Sequence, residues 1–253
     1  MGSVDMGTLG NVSEAANAIS ASTRPAREHP PRRWQFIEQP KKHDSGYYVY
    51  KAATEDDFEA VDAIWNAVYG AECGWLKPAD GLRHKDRYHT YSTYLLAKVA
   101  GRPVGTMRLV ADSPESLPIE QFVSIAELRG DRRIIECQRL MVLADYRNKR
   151  WPELPYGVLG ALVKACLHWC VVNGVTHILA DLFLNTKTTP LQSLMAIGFE
   201  ETGKEFIDTE LNEPDRSVAL LLRVGELFSR PFRTTSPFYR YLMAYDDHVH
   251  VYD

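Results

Sequence analysis

Features that mark several other classes of protein are missing from this chain of 253 residues. No apolar run approaches the ~20 residues that a helix needs to cross a bilayer, so we expect no membrane span. The N-terminus does not combine a basic region with an apolar one, and we therefore expect no secretory signal. The net charge is −4 and the pI is near 6.1, so binding to nucleic acid, which attracts basic surfaces, is not expected.

Cysteine is also scarce, and the spacing of the four cysteines is unlike that of a metal site. We therefore expect no metal. Cys166 and Cys170 lie four positions apart on an expected helix, where two small buried side chains are a simpler interpretation than a disulfide. This use of cysteine is typical of a reducing compartment, and we expect the protein to be cytoplasmic.

The composition that is present is that of a globular protein, with 45% hydrophobic and 25% charged residues. Residues 1–33 are rich in Ser, Ala, Gly and Pro, which predicts a disordered N-terminal tail. Residues 34–224 carry the patterns of one folded domain. Residues 225–253 are rich in aromatic side chains, and we expect them to form a C-terminal extension packed on the same domain.

Hydrophobic patterns predict alternating strands and helices along the folded domain. Thr54–Asp57 resembles a capping box before a helix, residues 70–88 have the composition of a polar loop, and residues 157–172 have the broad apolar face of a long helix. Thr189-Pro190 opens a further helix, with Pro at its first helical position. Strands are predicted over residues 47–53, 93–99, 104–110, 134–143, 176–182, 199–206 and 217–224. The alternation in the second half predicts a partly parallel sheet with helices on its faces.

The apolar strand over residues 134–143 is interrupted by Glu136, Gln138 and Arg139. Because side chains alternate between the two faces of a strand, we expect Glu136 and Gln138 to share one face, and Cys137 and Arg139 to share the other. A charge inside a buried strand is unfavourable unless it is paired. The pattern therefore predicts a polar site at this strand.

Three segments, on this order of elements, resemble the GNAT acyltransferase fold, and within it the acyl-homoserine-lactone synthases and long-chain N-acyl amino acid synthases. Asp86 to Leu96 resembles an acidic-aromatic segment that leads into the first hairpin strand. Gly105-Thr-Met-Arg108-Leu109 resembles a Gly-x-x-Arg-Leu strand. Glu136-Cys-Gln-Arg139 resembles a Glu-x-x-Arg strand, which Tyr146-Arg147 continues. The resemblance implies an α/β (α+β) fold with a mixed, centrally splayed sheet flanked by helices on both faces.

The resemblance also implies an activity. An acyl group would move from a phosphopantetheine thioester, carried by acyl carrier protein or coenzyme A, to the amine of a small molecule. The product would be an N-acyl amino acid or a molecule like an acyl-homoserine lactone. Two alternatives stay open: an ordinary N-acetyltransferase that uses acetyl-CoA, and a GNAT-like domain that binds an acyl thioester without catalysis.

Glu136 is the candidate general base, acting directly or through a water molecule. Its alternative role is structural, in a buried ion pair with Arg108 or Arg139, and these two arginines are expected to organise the site. His89 stands where the family usually has an acid, and its imidazole is a second candidate base. A covalent role for Cys137 is not expected, because direct transfer to the amine is the simpler mechanism.

The expected donor-binding residues follow along the chain. Backbone N–H groups near Leu140, Met141 and Val142 are implied to polarise the thioester carbonyl. A basic stretch before a helix N-terminus is suited to the donor's phosphate. The stretch comprises Arg147, Asn148, Lys149 and Arg150, and the helix begins at Gly157. Asn185 is implied to lie near the pantetheine arm.

Overall fold

A mixed sheet of eight strands lies at the centre of the residues that the computed structural model describes, which are 46–76, 84–130, 132–184, 189–212, 215–227 and 236–251. The strand order is β6-β7-β5-β4-β3-β2-β1-β8. The strands are β1 (Tyr48–Lys51), β2 (Ser92–Val99), β3 (Arg102–Ala111), β4 (Ile134–Val142), β5 (His177–Phe183), β6 (Glu200–Phe206), β7 (Ser217–Arg223) and β8 (Val249–His250). These residues belong to one compact unit, Pro40–Asp253. The expected tail, residues 1–33, and the candidate residue Asn185 lie outside the described residues.

Helices cover both faces of the sheet, as the sequence predicts. They are α1 (Glu55–Trp65), α2 (Gly157–Val172), α3 (Leu191–Ile197), α4 (Val224–Leu227) and α5 (Pro237–Met243). The long helix α2 packs on β1, β2 and β3, and α1 contacts β2, β3 and β4. The two helices bury different sets of apolar side chains, because Leu95 and Leu109 belong to the core with α2, whereas Leu96 and Met141 belong to the core with α1. The side chains of adjacent residues in β2 thus pack on opposite faces of the sheet.

Local sequence signals set the helix ends. The capping box at Thr54 is confirmed: its hydroxyl accepts from the backbone N–H of Asp57, whose carboxylate accepts in return from the backbone N–H of Thr54. Two predictions are wrong in detail. The helix does not stop before residue 70 but continues as a π-helix, Asn66–Glu72. Pro190 is the N-cap residue of α3 and not its first helical residue.

A splay between β4 and β5 opens the middle of the sheet. The two strands pair in parallel only where Ile134–Cys137 stands opposite His177–Ala180. Beyond this point β4 pairs with β3 as far as Val142, and β5 pairs with β7 as far as Phe183. Each strand is therefore held on its outer side while the inner edges diverge, which confirms the expected central splay.

A β-bulge in β4 changes the direction of one charged side chain. Arg139 and Leu140 together stand opposite Met107 of β3, and Arg139 has a φ of +53°, which is uncommon for a residue with a Cβ atom. Arg139 consequently lies on the face of Glu136, over the rings of Trp65 and Tyr69. The prediction that Cys137 and Arg139 share a face is wrong, because regular alternation does not continue through a bulge.

The C-terminal part of the described chain packs against the same sheet and helix. β8 pairs in parallel with β1, and α5 packs on α2. Lys164 of α2 is 1% exposed, and its Nζ donates to Oδ2 of Asp246 over 2.9 Å. The ammonium also lies 4.1 Å from the centroid of the Tyr241 ring. A buried ammonium is stable only with such partners.

Candidate active site

A cavity of about 740 Å³ occupies the splay between β4 and β5. Its polar wall lies on the α1 face of the sheet and contains Glu136, Gln138, Arg139, Asp181, Asp208 and Glu210. Its opposite side reaches the loop after β4 and the first turn of α2. The cavity therefore passes through the sheet where main-chain pairing is interrupted.

Glu136 is the most deeply buried acid of this wall, with 1% of its surface exposed. Its Oε2 accepts from the backbone N–H of Ile119 over 2.8 Å, and its Oε1 accepts from Nε2 of Gln138 over 3.0 Å. Burial raises the pKa of Glu136 to about 8, and the charge of Asp181 adds to the rise. A carboxyl group with a pKa near neutral pH suits proton transfer.

The ion pair of Glu136 with Arg108 or Arg139, which was the alternative to a catalytic role, is not formed, because both arginines have other acidic partners. Nη2 of Arg139 lies 3.2 Å from Oε2 of Glu210, and Nη1 lies 3.8 Å from Oδ2 of Asp208. The positive charge of the Arg139 guanidinium lowers the pKa of Glu136, although no hydrogen bond joins the two side chains. Arg139 thus organises the acidic wall without directly pairing with the candidate base.

Asp208 and Glu210 are site residues that the sequence reasoning missed. They follow β6, about seventy positions after Glu136, and only the order of strands brings them beside β4 and β5. Burial raises the pKa of Asp181 to about 6, with Asp208 and Glu210 adding to the rise and Arg139 opposing it. An acidic Asp-x-Glu segment after a strand is the one signal in the sequence, and it is too common to identify a site.

Arg108 and His89 lie apart from this cavity. Arg108 is 1% exposed and bonds to Asp86 and Ser92. His89 belongs to an aromatic cluster with Phe58, His84 and Tyr94. Neither side chain lines the splay, so the geometry supports structural contributions from both.

Most of the expected donor-binding residues do line the cavity, namely Leu140, Met141, Val142, Arg147, Asn148, Lys149, Arg150 and Gly157. Arg147 is already engaged, because Nη2 donates to Glu72 over 2.7 Å and Nε donates to the carbonyl of Val142 over 2.8 Å. Lys149 and Arg150 lie over the rings of Tyr146 and Tyr156. Gly157 has a φ of +70°, and a Cβ atom there would lie 2.6 Å from the carbonyl oxygen of Lys149.

An apolar arm of the cavity extends between α2, β5 and α3. Its walls include Val163, Cys166, Leu167, Ala180, Ile197 and Phe199. Sγ of Cys166 lies 3.3 Å from Sγ of Cys137, and both cysteines are free. The lining suits a hydrocarbon, since burial of apolar surface favours binding by roughly 25 cal/mol per Å².

Neither a membrane span nor a metal cluster occurs in the described ranges. No helix there has the length and apolar character that crossing a bilayer requires. The same residues contain no group of three or more His, Cys, Asp or Glu side chains arranged to hold a metal ion.

The splayed mixed sheet with helices on both faces is the fold of the GNAT acyltransferases. A family model described as N-acyl amino acid synthase FeeM matches residues 60–215. The chain belongs to this family and is an N-acyltransferase, which joins an acyl group from a donor to an amine acceptor. No curated protein sequence matches the chain.

Two solved structures show how far the fold is shared. The first is FeeM, an N-acyl amino acid synthase from uncultured soil microbes, with a TM-score of 0.61 at 15% identity over 75% of this chain and 97% of that one. The second is BjaI, a CoA-dependent acyl-homoserine lactone synthase in complex with SAM and isopentyl-CoA, with a TM-score of 0.53 at 21% identity over 76% and 91% of the chains. At these identities the likeness establishes the fold.

Proposed function

We propose that the cavity in the splay is the active site, and that the enzyme moves a long acyl group from an acyl-carrier-protein or CoA thioester to the amine of a small molecule. The observation that carries the proposal is the position of Glu136. Its buried carboxyl group lines the cavity beside the point where β4 and β5 separate. The donor and the acceptor would meet at this point.

The free edge of β4 would bind the pantetheine arm as an added strand. Leu143 donates its backbone N–H to the carbonyl of Val104 on the β3 side. Because main-chain groups alternate in direction along a strand, the N–H of Val142 turns toward β5 and the gap. This N–H would donate to the arm or to the thioester carbonyl, whose oxygen becomes negative during attack.

The basic end of the cavity would bind the phosphate of the donor. Lys149 and Arg150 precede α2, whose first turn has no side-chain cap and adds backbone N–H groups and the positive end of the helix dipole. No salt bridge joins either side chain to an acid within the described ranges. Both charges are thus available to an anionic group.

Glu136 would remove a proton from the attacking amine. The nitrogen then forms the amide bond to the carbonyl carbon, the carbon–sulfur bond breaks, and the donor leaves as a thiol after it takes up a proton. General base catalysis of this kind typically contributes ~10²–10⁴-fold. A long acyl chain would lie in the apolar arm, which a two-carbon acetyl group would leave largely empty.

A donor panel tests the proposal. The full chain is incubated with acetyl-CoA, dodecanoyl-CoA and dodecanoyl-loaded acyl carrier protein, and binding is followed by thermal shift while mass spectrometry detects acylated amines. We expect stabilisation and transfer with the dodecanoyl donors. Transfer from acetyl-CoA with equal or higher kcat/KM would establish the acetyltransferase alternative. Donor binding without transfer to any amine would establish the non-catalytic alternative.

Two variants locate the site in the same assay. Glu136→Gln keeps the shape of the side chain, and it should bind the donor normally while kcat falls ~10²–10⁴-fold. Lys149→Ala/Arg150→Ala should raise KM for the donor. Arg216→Ala is the matched control, since this arginine pairs with Glu205 on the surface and does not line the cavity. Unchanged kcat in Glu136→Gln contradicts the assignment of the base.

A further inference from the structure

The polar wall of the cavity has an excess of acidic groups. Four carboxyl groups line it, from Glu136, Asp181, Asp208 and Glu210, together with the guanidinium of Arg139. Even with Glu136 protonated, the remaining three acids outnumber the one cation. This wall lies on the face of the sheet opposite α2, away from the basic end that is suited to the donor. The charge distribution therefore distinguishes the two ends of the cavity.

Arg139 is not available to bind a carboxylate of the acceptor. Its guanidinium pairs with Asp208 and Glu210, and it lies 5.9 Å and 5.8 Å from the ring centroids of Trp65 and Tyr69. Asp208 is itself held, because its Oδ1 accepts from the backbone N–H of Glu210 over 2.7 Å. An acceptor carboxylate would thus meet a guanidinium that two protein acids already neutralise. Like charges brought together in an interface are strongly disfavoured.

Aromatic rings line the same end of the cavity. Trp75 contacts Phe183 and Tyr69, with ring centroids 4.7 Å and 5.4 Å apart. Phe122 and Phe206 stack with centroids 4.9 Å apart. All five rings line the cavity. Aromatic rings attract organic cations, and Tyr69 already lies beneath the guanidinium of Arg139, so the wall combines acidic groups with rings that suit a cation.

We infer that the amine acceptor carries a second, positively charged group, and that the acidic and aromatic wall of the splay binds this group while the reacting amine faces Glu136. The inference rests on the proposed function, because it assigns the acceptor of that same site. It separates this enzyme from one whose acceptor is a simple amino acid, in which the amine is accompanied by a carboxylate alone.

Matched acceptors test the inference. The first series, 1,4-diaminobutane, 4-amino-1-butanol and 4-aminobutyrate, keeps the reacting amine and the chain length while the far end is positive, neutral or negative. The second series compares L-lysine with L-norleucine, so that a carboxylate is present in both. With dodecanoyl-CoA as donor, kcat/KM should be at least about tenfold higher for the positive member of each series, because the charges attract at short range.

Three results would overturn the inference: equal kcat/KM within both series, a preference for the anionic member, or acylation of neutral or anionic amines while no cationic amine is acylated. Failure of the proposed function has a different signature, since dodecanoyl-CoA would then either not shift the melting temperature or bind without acylating any member of either series. The two failures are therefore distinguishable in one set of measurements.

A variant pair assigns the selectivity to the wall. Asp208→Asn/Glu210→Gln removes two acids and frees Arg139, so the preference for the diamine over 4-aminobutyrate should shrink at least about tenfold or reverse. Glu205→Gln removes an acid of β6 that pairs with Arg216 and does not line the cavity, and it should leave the preference unchanged. Glu210→Gln alone serves if the double variant does not fold. A preference unaltered in the double and single variants contradicts the inference.

Discussion

The guanidinium of Arg108 donates two hydrogen bonds of 2.6 Å to the two carboxylate oxygens of Asp86. This pair joins the acidic-aromatic segment before β2 to the strand that carries Arg108. A third bond, from Nε to the hydroxyl of Ser92, completes the set. Two motifs that are separated in the sequence are thus one structural unit. Its residues Asp86, Ser92 and Arg108 do not line the cavity.

Loss of this pair should destabilise the fold. Asp86→Ala leaves the buried charge of Arg108 without its partner, and we expect the free energy of unfolding to fall by ~3 kcal/mol, the low end for a broken buried pair because Asp86 is partly exposed. Glu205→Ala breaks an exposed pair and should change it by less than ~1 kcal/mol. Urea unfolding measures both. Equal changes in the free energy of unfolding would mean that the Asp86–Arg108 pair stabilises the fold no more than an exposed ion pair.

The activity should depend on the ionisation of Glu136. A base must be deprotonated, so kcat/KM should rise with pH, show an inflection at the pKa of about 8 and level off above it. Asp181→Asn removes a negative charge that disfavours ionisation, so the inflection should move to lower pH. The measurement is the pH profile of kcat/KM for both proteins. An inflection that stays in place would show that Asp181 does not act on the group that titrates.

Glu136 should also make the stability depend on pH. Its pKa is about 8 when folded and near 4.5 in its ordinary state, so the folded protein binds the additional proton between these values. The contribution to stability is complete below pH 4.5 and is lost as the pH rises through 8. Between pH 5 and 8 the stability should therefore decline more steeply in the native protein than in Glu136→Gln. Parallel declines in urea unfolding would contradict the raised pKa.

The apolar arm should determine the length of the acyl chain. Cys166→Leu enlarges a side chain that lines the arm, so kcat/KM for dodecanoyl-CoA should fall about tenfold or more, while that for butanoyl-CoA changes little, since overpacking typically costs 1–3 kcal/mol. Cys170→Leu, one turn further along α2, is buried but does not line the cavity. Cys170→Leu should reduce stability without changing the ratio of kcat/KM for dodecanoyl-CoA to kcat/KM for butanoyl-CoA. If both variants change this ratio equally, the arm does not bind the acyl chain.

Gly157 should be needed for the start of α2. A Cβ atom there would collide with the carbonyl of Lys149, and the positive φ is itself unfavourable for alanine. We expect Gly157→Ala to lower stability by at least ~1 kcal/mol and to raise KM for the donor, because residues 149 and 150 must shift. Gly225→Ala, where a Cβ atom would meet no heavy atom within 4 Å, is the control. An equal KM for the donor in both variants would mean that the conformation at Gly157 does not affect donor binding.

Several parts of this structure follow from local sequence. Thr54 and Asp57 begin α1 through hydrogen bonds three residues apart, and the apolar face of residues 157–172 predicts α2 to the residue. The strand that carries Glu136 is recognisable because charges interrupt an apolar run. These signals depend on neighbours in the chain, so they are readable before folding.

The composition of the candidate site is less predictable. Asp208 and Glu210 reach Arg139 from a distant loop, and the side on which Arg139 lies depends on a bulge that the alternating pattern does not show. The pKa of Glu136 is raised by burial and by the charge of Asp181, which is supplied by another strand, while the hydrogen bond from the backbone N–H of Ile119 opposes the rise.

The amino-acid sequence by itself determined the order of the elements, the strand with the candidate base and the basic stretch before α2, because periodicity and capping act within a few residues. The resemblance implied a splayed sheet, but only the tertiary structure decided that the splay lies after Cys137 of β4 and Ala180 of β5, and that acids from three separate segments surround one arginine there. Burial and electrostatic interactions act through space, and their partners are set by the packing of segments far apart in the chain.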